Sequence, residues 1–222
     1  RLYHMLNIQG VIFDMDGLMI DTEKLLCKFW CDACKEFGYH ATPDMIYPMR
    51  SLCSKYSLPM FKKMFGEDFD VMTIRERRKE LMQQYIDAHG IEKKKGLDQL
   101  LDFLKQNNIK RAVATATDYP RTEQYLKSVG VFDKFDKIVC ATMVKVGKPE
   151  PYVYLEACKE LNLPPDKCMA LEDSPNGILS AYRAGCIPVM VPDLTQPDEE
   201  TKQYLYTYVE SLDQVIDTIL KG

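Results

Sequence analysis

The sequence has no apolar stretch approaching the ~18 residues of a membrane-spanning helix, and neither a G-x-G-x-x-G nor a Walker A glycine loop. The first absence argues against a bilayer span, and the second removes the dinucleotide and P-loop readings. No secretory signal opens the chain; Arg1–His4 precede a candidate start at Met5 and read as a remnant foreign to the protein. There is no basic excess either. With 29 Lys and Arg against 33 Asp and Glu, the formal net charge is −4, so nucleic acid and anionic membranes are poor partners. The one basic run, Lys93-Lys94-Lys95, reads as a solvated loop, and nothing marks a protein partner. Eight cysteines (27, 31, 34, 53, 140, 158, 168 and 186) are read as forming no C-x-x-C pair, no clustered Cys/His set and no disulfide framework. They are expected as reduced core residues in a reducing cytoplasm.

What is there is ordinary globular material: 222 residues, 46% hydrophobic and 28% charged, enough for one sizeable core and a small second lobe. Near-continuous apolar runs predict strands at 8–13, 111–115, 137–141, 168–171 and 187–191, with a weaker one near 208–210. Amphipathic segments at about 97–106, 121–129, 151–161 and 175–184 alternate with them, and this alternation predicts a doubly wound parallel α/β sheet. Residues 22–95 break the rhythm. Leu25, Leu26, Phe29, Trp30, Ala33, Cys34 and Phe37 stand at helical spacing, as do Ile74, Arg78, Leu81, Met82, Tyr85 and Ile86. Pro43, Pro48, Pro59 and Gly66 are expected to punctuate shorter elements between those two helices. A helical insertion of this length is too long for a connection. The expected division is an α/β core at 1–20 and 93–222, with 21–92 as an inserted all-helical lobe. Trp30, Met60, Met64 and Met72 are expected to be packing residues.

Four polar signatures sit at the ends of the expected strands, the edge where open parallel sheets bind ligands. The first is Asp14-Met-Asp16-Gly17. Residues two apart on an extended backbone face one side. Two carboxylates so placed call for a divalent cation, or for a proton on one of them. The competing view is an Asp-rich turn. Next, in Thr115-Ala116-Thr117-Asp118, a threonine hydroxyl and the following backbone N–H can meet a phosphate oxygen; helix capping by Thr117 or Asp118 is the alternative. In Gly147-Lys148-Pro149 the lysine's backbone is restricted by the proline, so its ammonium can be aimed at a fixed point. Finally, Glu172-Asp173-Ser174 closes an apolar run with two acids, although Asp173 or Ser174 could simply cap the next helix. Together these supply a carboxylate nucleophile, acids for a hard cation, a hydroxyl donor and a balancing lysine, the parts phosphoryl transfer needs.

Asp14-Met-Asp16-Gly17 with Asp21-Thr22-Glu23, then Thr115, Lys148-Pro149 and Glu172-Asp173-Ser174 resemble, in order and spacing, the haloacid dehalogenase superfamily. The likeness is to members with a helical cap after the first motif, of the β-phosphoglucomutase-like and sugar-phosphatase-like kind. The resemblance implies that Asp14 attacks phosphorus and becomes an aspartyl phosphate, while Asp16 protonates the leaving oxygen and then activates water. It implies that Thr115 and Lys148 hold the phosphoryl group, with Ala116 and Thr117 beside it. It also implies Mg²⁺ on Asp14, the Asp16 carbonyl and Asp173, with Glu172 acting through water or behind the ligands. Dehalogenases of the superfamily are less similar, since they lack the second acid and work without metal. The substrate implied is a small phosphorylated metabolite, a sugar or nucleoside phosphate.

Two departures bear on the choice within the group. Mutases typically carry histidine five residues after the aspartate matching Asp21, where this chain has Leu26, with His40 and His89 as conceivable substitutes. The cap loop reads Arg50-Ser-Leu-Cys53-Ser-Lys55, which makes Arg50 and Lys55 candidates for substrate recognition. A phosphatase is the expectation. A phosphosugar mutase and a non-catalytic metabolite-binding module on the same fold are the rivals.

Overall fold

The computed structural model describes residues 5–222; the view of residues 1–4 as a remnant lies outside them. Six strands form one parallel sheet: β1 (Gly10–Phe13), β2 (Lys110–Thr115), β3 (Lys137–Cys140), β4 (Cys168–Glu172), β5 (Ile187–Met190) and β6 (Thr207–Tyr208). Their order is β3-β2-β1-β4-β5-β6. All four residues of β1 are buried, as a central parallel strand covered on both faces requires. Val11 and Phe13 join the larger core cluster, whereas Ile12 points to the opposite face, following the period of two. The sheet is therefore the middle of three layers. The chain winds outward from β1 through β2 and β3, then returns to start β4 on the other side of β1. That reversal opens a crevice beyond the C-terminal ends of β1 and β4, where such sheets take ligands.

Between β1 and β2 lie five helices: α1 (Glu23–Glu36), α2 (Pro43–Ile46), α3 (Ser54–Phe65), α4 (Val71–His89) and α5 (Leu97–Gln106). The first four contain no strand and share an apolar cluster built on Phe61, Phe69, Ile74 and Cys34, with Phe61 and Phe69 stacked at 5.3 Å. This block is fused to the sheet at its base, because Leu25, Phe29, Met82 and Ile86 belong to the main core. The two strands of chain that enter and leave it run side by side, with Asp21 N donating to Glu92 O at 2.9 Å. The remaining helices are α6 (Tyr119–Ser128), α7 (Tyr152–Glu160), α8 (Pro175–Ala184), α9 (Glu199–Lys202) and α10 (Gln214–Lys221). Apolar residues of α5, α6 and α10 cover one face, and those of α7 and α8 cover the other.

Several expectations need correction. Pro59 does not stop an element; it lies inside α3, where the hydrogen bond it forgoes is offset by burial of Phe61 on the same helix. Met72 is exposed rather than packed. The weaker strand shrinks to Thr207–Tyr208. All eight cysteines are free, but Cys31 and Cys53 are only partly buried. Contrary to the expectation that there is no C-x-x-C pair, Cys31 and Cys34 form one on α1. Burial pushes the Cys34 thiol up to about 12, unlike a reactive thiol. Among the described residues, no helix is long and apolar enough to cross a membrane.

Candidate active site

The C-terminal ends of β1 and β4 bring Asp14, Glu172 and Asp173 together, so that one oxygen from each lies within 4.8 Å of the others. All three are buried. The approach is close because glycines line it. A Cβ on Gly17, which has φ +82°, would collide with Asp173, and one on Gly177 would collide with Glu172. Lys148 enters from the loop after β3 and is 1% exposed. Its ammonium donates to Asp14 Oδ1 at 2.9 Å, to Glu172 Oε1 at 2.6 Å and to the Ala114 carbonyl at 3.0 Å. The Tyr154 hydroxyl from α7 also donates to Glu172 Oε1.

One lysine cannot balance three buried carboxylates. Burial first and the Asp14 charge second push Glu172 up to about 8. The same two causes raise Asp173 well above the usual carboxylate range. Burial alone would pull Lys148 down, but Asp14 and Glu172 outweigh it and hold the ammonium charged. Among the described residues, four carboxylate oxygens, namely Asp14 Oδ2, Glu172 Oε2 and both of Asp173, have no hydrogen-bond partner. Orphaned buried acceptors are costly, and an all-oxygen set of this kind suits a hard divalent cation.

Asp16, two residues on, lies outside that trio and is pinned. Thr22 Oγ1 donates to one of its oxygens at 2.5 Å and Thr117 Oγ1 to the other at 2.7 Å. Burial raises its pKa against the pull of both threonines. Thr115 ends β2, buried, and its Oγ1 accepts from Thr117 N at 3.1 Å; Ala116, between them, is exposed toward the crevice. The capping alternatives resolve cleanly. Asp118 accepts from Arg121 N and Ser174 from Gly177 N at the starts of α6 and α8, leaving Asp173 uncapping and Thr117 committed to Asp16.

A cavity of about 620 Å³ opens above this floor, bounded by Asp14, Asp16 and Lys148 below and by the helical block above. The block is docked onto the core through its loop after Tyr47–Met49. Cys53 N donates to Lys148 O at 3.0 Å, and Asn176 Nδ2 donates to the carbonyls of Pro48 and Arg50 at 2.9 Å each. Arg50 also lines the cavity, yet two of its nitrogens are spent on Tyr47 O and Thr195 Oγ1. Lys55 lines the rim and is exposed. Leu26 faces the cavity, whereas His40 and His89 are exposed and outside its lining, so neither histidine stands in for a proton carrier at that place.

Sequence reasoning missed several lining residues. Glu23 was quoted only as part of a motif, but it is buried in the cavity wall; burial, then Asp16, raises its pKa strongly. Trp30 packs on Phe61 at 4.7 Å yet also borders the cavity, so it is not purely core. Arg78 is buried there too. It stands at positions 74, 78, 82 and 86 of α4, on the otherwise apolar stripe, a signal visible in the sequence.

Residues 11–191 match the haloacid dehalogenase-like hydrolase family. A Thermotoga maritima protein named phosphorylated carbohydrates phosphatase is 29% identical over 178 residues, covering 80% of this chain and 82% of its own. A Drosophila melanogaster protein named probable pseudouridine-5'-phosphatase is 31% identical over 217 residues, covering 88% and 86%. The crystal structure of β-phosphoglucomutase from Clostridium difficile aligns with a TM-score of 0.79 at 26% identity, covering 94% of this chain and 93% of that one.

Proposed function

The chain belongs to the haloacid dehalogenase-like hydrolases, and on that footing we propose that this enzyme is a metal-dependent phosphatase of small phosphorylated metabolites, sugar or nucleoside phosphates, working through an aspartyl phosphate on Asp14. The observation that carries the reading is the set of four unpartnered carboxylate oxygens gathered around a Lys148-anchored Asp14. A phosphate dianion could not approach that charge unaided. Asp14, the Asp16 carbonyl and Asp173, with Glu172 behind them, would hold Mg²⁺, which would supply charge neutralisation there.

The chain's own groups do the rest. An Asp14 carboxylate oxygen attacks phosphorus as the bond from phosphorus to the ester oxygen breaks, and Asp16 gives its proton to that leaving oxygen. Its raised pKa suits a group that must carry a proton at that moment, and the two threonine hydroxyls fix its direction. Asp16, now ionised, takes a proton from water; the water oxygen attacks phosphorus, freeing Asp14 and inorganic phosphate. Lys148, Thr115 and the Ala116–Thr117 backbone would hold the phosphoryl oxygens. The helical block, spanning 21–92, acts as a cap that excludes bulk water. Eight free thiols support a cytoplasmic setting.

The mutase rival needs the phosphoenzyme shielded from water until the sugar turns round. Leu26 at the cavity wall has no proton to couple cap closure to Asp16, which favours hydrolysis. Phosphorus NMR with β-glucose 1-phosphate and a trace of the 1,6-bisphosphate tests the choice. Accumulating inorganic phosphate is expected from phosphomonoesters, and rapid conversion to glucose 6-phosphate with little free phosphate would overturn the phosphatase.

A further inference from the structure

Lys148 is held at both ends. Its ammonium is fixed on Asp14, Glu172 and the Ala114 carbonyl, while its main-chain carbonyl accepts from Cys53 N of the cap at 3.0 Å. The turn that carries it is closed by Glu150 N, which donates to Gly147 O at 3.1 Å. On the core side α8 grips this turn, with Ser180 Oγ donating to Glu150 O at 2.6 Å and Arg183 Nη1 to Pro149 O at 3.2 Å. On the cap side the Tyr56 hydroxyl, from the first turn of α3, donates to Glu150 Oε1. Arg183 stands 3.9 Å from the same oxygen, beyond hydrogen-bond reach. The two surfaces meet closely, since a Cβ on Gly147 would stand 2.9 Å from the Cβ of Cys53.

The lysine turn is therefore suspended between α8 and the cap, and the cap's two anchors, Cys53 and Tyr56, lie three residues apart on one helical turn. A hydroxyl donating to a carboxylate is a charge-assisted bond, stronger than a neutral one. Tyr56 and Glu150 are 94 residues apart in sequence, so the bond exists only while the cap is docked. We propose that Tyr56 and Glu150 strap the docked cap to the lysine turn, which makes Tyr56 a positioning residue that sets Lys148 for phosphoryl transfer. Lifting the cap breaks the strap and releases the Lys148 main chain together. The ammonium sits at the end of a flexible four-carbon stem, so it then loses the fixed base from which it reaches Asp14 and the phosphoryl oxygens. A displacement of about 1 Å at such a site costs on the order of 10²-fold in rate. The inference deepens the phosphatase reading and rests on it for the reaction that Lys148 serves.

Amide hydrogen exchange, followed by mass spectrometry with Mg²⁺ at pH 7, tests the strap without turnover. Tyr56→Phe removes one oxygen from a half-buried side chain. It should speed exchange roughly 3–10-fold in two segments remote in sequence, 50–56 of the cap and 145–152 of the core, because each holds the other. Turnover of p-nitrophenyl phosphate by the same variant should fall by roughly 3–10-fold in kcat, an effect that a contact serving only the fold would not produce. Glu150→Ala should match it, and the double variant should be within about twofold of either single, since both remove one bond. Glu150→Gln keeps an acceptor for the tyrosine hydroxyl and should retain about half of wild-type kcat or more. Faster exchange confined to 50–56, or single effects that multiply in the double variant, overturns the inference. Coupled exchange in a protein that hydrolyses no phosphate ester would instead sink the phosphatase reading and leave the strap between cap and lysine turn standing.

Discussion

Stripped of divalent metal, the protein should lose stability as pH rises from 5 to 8, and Mg²⁺ should recover about half of the loss. The reasoning starts at Glu172, which is fully buried and pushed from 4.5 to about 8 by burial and by Asp14. The folded chain therefore holds this proton more tightly than the unfolded chain. Its stabilising effect is complete below pH 4.5 and disappears as pH climbs to about 8. A difference of about 3.5 pH units at 1.36 kcal/mol each is on the order of 5 kcal/mol. Asp173 and Asp16 are raised by burial as well and push the same way. For a chain of this size, 1 kcal/mol moves Tm by about 2–4 °C, so a fall of roughly 10–20 °C is expected across that window in chelator. Bound metal requires the carboxylates ionised, so its stabilisation grows with pH; at about a hundred times its Kd it contributes about 2.7 kcal/mol. Calorimetric melts at pH 5, 6, 7 and 8, with chelator and with Mg²⁺, measure both effects. Glu172→Gln, which keeps the shape and loses the charge, should flatten the chelated curve. A Tm in chelator that stays level or climbs between pH 5 and 8 would refute the argument that unbalanced buried carboxylates dominate this site.

Other outcomes follow from the same geometry. Asp14→Asn should leave a folded protein with turnover reduced by on the order of 10⁴ or more; retention of a tenth of wild-type activity by purified variant would remove Asp14 from its role. Asp16→Asn should slow both half-reactions yet still accept phosphate from acetyl phosphate, seen as added mass on the intact protein, and wild-type hydrolysis rates in this variant would exclude Asp16 as acid and base. Gly177→Ala places a methyl against the Glu172 carboxylate and should raise the Mg²⁺ concentration needed for half-maximal activity about tenfold or more, as displaced outer partners of a metal site do; a Mg²⁺ titration of activity that is unchanged from wild type would refute it. Ca²⁺, larger and more loosely coordinated, should inhibit in competition with Mg²⁺; full activity in excess chelator, with metal excluded by elemental analysis, would contradict the metal requirement.

Much of the architecture was legible because its signals are local. Buried parallel strands need apolar runs, and Val11, Ile12 and Phe13 supply one that ends where Asp14 begins. The helix over 97–106 and the one over 175–184 match in both bounds, since their apolar periodicity and their capping residues agree. The helix at Gln214–Lys221 was missed although Val215, Ile216 and Ile219 stand at helical spacing; it is short, and its burial comes from docking on the sheet rather than from its own propensity. The acids of the site were legible as types, because strand ends terminating in carboxylates are rare without a purpose.

Their division of labour was not. That Asp173 is left bare while Ser174 caps the helix, that Lys148 bridges Asp14 and Glu172, and that Asp16 is tied by Thr22 and Thr117 depend on loops from four strands converging at one edge. Arg78 makes the same distinction most sharply. The sequence places it on the apolar stripe of α4, and local periodicity could say only that a charge there is out of place. Whether that charge meets a carboxylate, water or a ligand is decided by what the cap is packed against. The sheet's strand order settles that by setting α6 and the Asp14 crevice opposite it, because contacts between residues far apart in sequence exist only once the long-range topology has closed.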